Sequence, residues 1–137
     1  MNIGKYNAMI EEVTEEPNNM SHDWFELMKD VSMLLKDRME LEHMKEVCQL
    51  AIYTFGGEAQ TFKLCGEIGE LMDALCKLKE GKLTKYDVAS EIADVQILLE
   101  QMILLHGICG EVDRQRKCKI EYLDGKIKEA KNGKSVS

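Results

Sequence analysis

Residues 84–106 read TKYDVASEIADVQILLEQMILLH, and this stretch decides the fold. Its apolar residues recur at the three-and-four spacing of an amphipathic helix. With Glu91 set at zero on a wheel of ~100° per residue, Val88, Val95, Leu98, Leu99, Met102 and Leu105 fall within roughly 80° of it. Thr84 followed by Asp87 makes a capping box, so the helix is expected to start there and to run to about His106. Glycines at 107 and 110 then turn the chain. Upstream, a helix is expected over 58–79, with an apolar stripe of Leu64, Ile68, Leu71, Met72, Leu75 and Leu78, and a loop over 80–83. Before it, Asn19 or Ser21 can cap a helix, single or broken in two, that carries Trp24, Leu27, Met28, Val31, Leu34 and Leu35 and continues to Phe55. Gly56-Gly57 ends it. A further helix, rich in lysine and arginine, is expected over 111–131. Residues 1–20 read as a leader, 21–131 as one helical domain and 132–137 as a tail. The expected fold is all-α, an antiparallel bundle of four to five helices.

Composition excludes several classes. The chain has 137 residues, and its single proline, Pro17, leaves the following 120 without one, unlike a turn-rich β domain. No apolar run approaches the ~18 residues of a membrane span. A net charge of -7, from 25 acidic and 18 basic residues, disfavours binding to a nucleic-acid polymer. It leaves room for a nucleotide that arrives with a divalent cation. Five cysteines, at 48, 65, 76, 109 and 118, form no C-x-x-C pair. That pattern fits thiols in a reducing cytosol, and a cytoplasmic protein is expected.

Four carboxylates stand where apolar residues belong. Glu91 lies inside the stripe of its helix and Asp94 on the edge. On the preceding helix Glu67 lies at the margin and Glu70 about 60° further out on the same side. Each helix thus offers two carboxylates at i and i+3. An ionised carboxylate inside a bundle is costly unless a cation or hydrogen bonds compensate it. A hard divalent cation with oxygen ligands, magnesium or manganese, would compensate all four. The plainer alternative leaves Glu67 and Glu70 solvated and pairs Glu91 with a lysine.

The run Phe55-Gly56, Gln60, Gly66-Glu67-Ile68-Gly69-Glu70-Leu71 and Glu91-Ile92-Ala93-Asp94-Val95 resembles the MazG-like family of all-α nucleoside triphosphate pyrophosphatases. The family's hallmark is E-E-x-x-E followed, after a short loop, by E-x-x-D. The likeness covers about residues 45–125 and includes Lys119-Ile120-Glu121-Tyr122-Leu123 in the basic helix. It implies a MazG-like architecture, with Glu67, Glu70, Glu91 and Asp94 holding magnesium. It also implies cleavage of the α–β phosphoanhydride of a (deoxy)nucleoside triphosphate to the monophosphate and pyrophosphate, in a nucleotide-pool or house-cleaning role. Family members are typically dimers or dimers of dimers, so a homodimer or homotetramer is implied. The sequence departs from the pattern at Gly66, where the family's first glutamate is expected, and a weakened or specialised enzyme stays in view.

Phosphoanhydride hydrolysis suits such a site because most of the catalysis is electrostatic. Glu67 and Glu70 are the candidates to accept a proton from the attacking water, and Glu70, the more exposed, is preferred. Phosphate contacts are expected from Lys63, Lys77, Arg116 and Lys119, with Lys82, Lys85, Arg114 and Lys117 as further basic candidates. Phe55 and Gln60, with Trp24, are candidates for base recognition. A di-iron carboxylate bundle needs two E-x-x-H pairs, and only Glu40–His43 fits. The remaining alternative is an inactive helical module that oligomerises or binds protein or nucleotide.

Overall fold

The computed structural model describes residues 22–134, which form four helices and no strand. They are α1 (His22–Phe55), α2 (Gly57–Lys79), α3 (Lys85–His106) and α4 (Cys109–Lys134). The all-α expectation is met, and α1 is one unbroken helix of 34 residues. The expected leader and its capping residues Asn19 and Ser21 lie outside the described residues. α4 begins two residues before the expected start and continues to Lys134, three residues into the expected tail.

The breaks follow the sequence. Gly56 takes φ 91°, a left-handed value favourable only to glycine, and separates α1 from α2 with a single residue. At the start of α3 the capping box is complete. Asp87 Oδ2 accepts from the Thr84 backbone N–H and hydroxyl, both at 2.7 Å, and Asp87 N–H donates to Thr84 Oγ1 at 3.4 Å. Gly107 closes α3 in the left-handed region at φ 63°, and its N–H donates to Leu104 O at 3.2 Å.

Two units divide at Val47 and Cys48, within α1. In the first unit, the described part of α1 buries Ser32, whose hydroxyl donates to Met28 O at 2.8 Å. Trp24, Leu27, Val31, Leu34 and Leu35 of its expected apolar stripe are all exposed. In the second unit, α2 and α3 form an antiparallel hairpin. Residue numbers that climb along α2 fall along α3: Gly57 lies against Leu105, Thr61 Oγ1 donates to Met102 Sδ at 3.4 Å, and Leu64 clusters with Val95 and Leu98. Leu71 and Met102 pack on that cluster. The last two turns of α1 bury Cys48, 1% exposed, and Ile52, and the Cys48 thiol donates to Ile97 O at 3.8 Å. α4 contributes no buried residue, and its Ile120, Leu123 and Ile127 face outward. None of the described helices is long and apolar enough to cross a membrane.

Candidate metal and phosphate site

Hairpin register brings three of the four expected carboxylates together. On α2, Glu67 and Glu70 are one turn apart and share a face. On α3, Glu91 sits two turns after the Thr84 cap, on the side that meets α2. One carboxylate oxygen from each of the three lies within 4.8 Å of the other two. Glu67 and Glu91 are half-buried and Glu70 is exposed. Asp94 is exposed and stands outside this trio, yet its charge reaches Glu91.

Glu91 is the centre of the arrangement. Its Oε2 is buried with no hydrogen-bond partner among the described residues. Burial pushes its carboxyl above its ordinary pKa, and Glu70, Asp94 and Glu67, in that order, push it further in the same direction. The charged groups acting on Glu91 are therefore all carboxylates. No ion pair among the described residues includes it, so the lysine partner of the plainer alternative is not what the structure provides.

A buried, unpartnered oxygen beside two further carboxylates is a donor set of hard oxygens. Such a set matches magnesium or manganese, both of which prefer carboxylate ligands. The residues fit a divalent cation, with Glu67, Glu70 and Glu91 as protein ligands and Asp94 next to them. Gly66, one residue before Glu67, has open space where a Cβ would project. The position that the family pattern fills with a carboxylate is thus sterically free here.

The expected phosphate and base contacts fare differently. Lys77 is engaged with Asp73 at 2.6 Å, and Arg116 with Asp113 at 3.6 Å. Arg116 and Lys119 line a groove of about 420 Å³ along α4, with Val112, Ile120 and Leu123, and none of the acidic trio borders it. Lys63 and Lys119 are exposed and form no ion pair among the described residues. Phe55, the last residue of α1, is exposed, whereas Gln60 is buried in the hairpin seam. The sequence reading passed over Gln101, a buried residue of α3 whose Oε1 also has no partner. The available signal was a glutamine seven residues after Asp94 inside an otherwise apolar run.

Compared with known protein families, with curated proteins and with solved structures, the chain matches none of them.

Proposed function

We propose that this chain is a magnesium-dependent nucleoside triphosphate pyrophosphohydrolase of MazG-like type, with Glu67, Glu70, Glu91 and Asp94 as its metal-binding carboxylates. The observation that carries the reading is Glu91 itself: its Oε2 is buried and unpartnered, and one of its carboxylate oxygens lies within 4.8 Å of oxygens from Glu67 and Glu70. When bound, magnesium (or manganese in its place) supplies positive charge to the phosphate oxygens and acidity to a nearby water.

The chain's own residues do the rest. Glu67 and Glu91 are half-buried on two packed helices, so they hold their oxygens in fixed positions with little freedom to lose. Glu70 is exposed on the same face and takes the proton of the attacking water. Water adds to the α-phosphorus, the bond from it to the bridging oxygen breaks, and the monophosphate and pyrophosphate leave. Lys63, exposed on α2 and in no ion pair among the described residues, is free to meet the departing phosphates. Exposed large apolar residues on α1, α2 and α3, among them Leu34, Leu50, Met72 and Ile92, support association into a homodimer or homotetramer. Its five free thiols suit a cytoplasmic setting.

Gly66 favours a second reading, in which the missing carboxylate leaves a weakened or inactive helical module that binds protein or nucleotide. The two readings separate in one experiment. Pyrophosphate release is measured from a panel of canonical and modified (d)NTPs, with and without magnesium, for the wild type and for Glu91→Gln. Metal-dependent release that the substitution abolishes is the expected result. A folded wild type that releases no pyrophosphate from any triphosphate would refute the enzyme and leave the binding module.

A further inference from the structure

Two buried oxygen acceptors on α3 lack a partner among the described residues: Glu91 Oε2 and Gln101 Oε1. They lie ten residues apart, about 15 Å along the helix axis. The first is surrounded by carboxylates and calls for a cation. The second belongs to a neutral amide and calls for an N–H donor.

The amide does not stand alone. On α2, Gln60 falls seven residues before Glu67, two turns away and on nearly the same line of the helix. On α3, Gln101 falls seven residues after Asp94, again two turns away. The antiparallel register, with Thr61 on Met102 and Leu64 beside Leu98, therefore sets Gln60 and Gln101 at the same level of the seam. The pair lies two turns from the level of Glu67 and of the exposed Asp94. Both amides are buried, Gln60 at 7% and Gln101 at 5% exposure. The buried Cys48 thiol bonds to Ile97 O one turn before Gln101. Between the amide and acidic levels the seam is apolar, built from Leu64, Val95 and Leu98. A leucine or methionine at either position would continue that packing and leave no acceptor unmatched.

We infer that Gln101, together with Gln60, reads the edge of a nucleobase whose phosphates lie at the acidic trio. The inference rests on the pyrophosphohydrolase reading and extends it to the other end of the substrate. One ligand answers both unmatched acceptors: an anion that arrives with a cation at one end and offers N–H groups at the other. A carboxamide matches a base edge that places an N–H donor beside an acceptor, as adenine and cytosine do with an amino group next to a ring nitrogen. Rotation about the terminal torsion of Gln101 is soft, so the amide can present either Oε1 or Nε2 at the same place. Gln101 is thus assigned as a specificity-determining residue that takes no part in bond breaking.

The test measures binding of α,β-imido analogues of the four common dNTPs, and of inorganic tripolyphosphate, in the presence of magnesium. Full-length wild type, Gln101→Met, Gln101→Glu and Gln60→Met are compared, each first checked for helical circular dichroism. The wild type is expected to spread the four bases over about tenfold or more in Kd, the scale of one or two hydrogen bonds. Gln101→Met compresses that spread to about threefold and leaves the tripolyphosphate Kd unchanged. Gln101→Glu, which keeps the acceptor and loses the amide donor, reorders the bases towards guanine, whose edge carries more N–H groups. It also serves if the methionine variant fails to fold. A base ranking unchanged in both variants, or tripolyphosphate binding that weakens in parallel, overturns the assignment and makes Gln101 a packing residue. If the wild type responds to magnesium in its melting temperature but binds no nucleotide, the base-reading inference falls and the metal site stands. If magnesium has no effect either, the reading of the site itself falls.

Discussion

Glu91→Gln is the substitution through which the site is most directly tested, because it acts with opposite sign on the free and the metal-loaded protein. Without metal, the Glu91 carboxyl is held above its ordinary value of 4.5 by burial and by Glu70, Asp94 and Glu67. A carboxyl raised in the fold favours the protonated form. The stability it allows is fully present below pH 4.5 and is lost as pH climbs through the raised value. In EDTA, wild-type Tm should therefore fall as pH rises from 4.5 towards 8, and Glu91→Gln should melt higher than wild type at pH 8. Magnesium reverses the order. A few protein carboxylates give a weak site, with Kd of about 1 mM. At about 10 mM metal the linkage is RT ln 11, or about 1.4 kcal/mol. At about 2.1 cal/mol/K per residue, the described residues 22–134 unfold with an entropy near 0.24 kcal/mol/K, so wild-type Tm should rise by about 6 °C. Glu91→Gln, which loses the carboxylate charge and one of its two oxygens, should gain about 1 °C or less. Thermal melts followed by circular dichroism, with sodium chloride matching ionic strength, read both effects. An equal magnesium shift in wild type and variant would refute the argument, because the stabilisation would then not pass through Glu91.

Other perturbations probe the frame around the site. Leu98, 3% exposed at the centre of the core cluster, should cost about 3 kcal/mol as Leu98→Ala, at the lower end for such sites because its neighbours are only marginally enclosed; urea unfolding measures it. Thr84→Ala should cost about 1 kcal/mol at pH 7 through loss of the cap. Asp87 is held below its ordinary pKa first by the Thr84 hydroxyl and then by the Thr84 backbone N–H. Its contribution is present above pH 3.8 and lost as pH falls through the depressed value, so the wild-type advantage over Thr84→Ala should shrink below pH 3.8 in paired melts. Cys48 is buried, and its thiol is pushed up by burial and by Glu100, whereas Cys65, Cys76, Cys109 and Cys118 are exposed. A thiol reagent should count four fast groups, and the fifth should appear only in denaturant. Gly66→Ala meets open space in mid-helix and should stabilise by about 0.5–1 kcal/mol, which calorimetry would detect.

Helix positions were legible because the breakers and caps are local. Gly56, the Thr84–Asp87 box and Gly107 each act within a few residues of themselves, and each helix end falls where they put it. Glu91 could be picked out as anomalous because a wheel compares it only with its own helix. What one helix cannot reveal is the partner level across the seam. The wheel puts Glu91 inside the stripe and Asp94 on its edge, but only the crossing of α2 and α3 shows that Glu91 meets Glu67 and Glu70 while Asp94 stays exposed. Gln101 was passed over for a related reason, since a lone glutamine near the end of an apolar helix has no meaning until the register sets Gln60 at its level. The apolar periodicity of α1 overstated its burial, because an amphipathic stripe states that a face needs cover without saying what covers it. Charge pairing was the least legible of all. Lys77 and Arg116 looked available for phosphate, but acids one turn earlier on the same helices, Asp73 and Asp113, hold them first.

The hairpin also has a consequence for how the molecule reaches its fold. Glu67 and Glu91 are separated by only 24 positions along the chain, so the acidic trio is a local contact in sequence, of the kind that forms early when loop closure is short. Whatever brings Leu64 to Val95 and Leu98 also brings three like charges together. The same step that gains the apolar seam must work against their repulsion. Refolding through this hairpin should therefore run fastest in mild acid, where Glu91 takes up a proton as the seam closes, or with a divalent cation already present to do the proton's work.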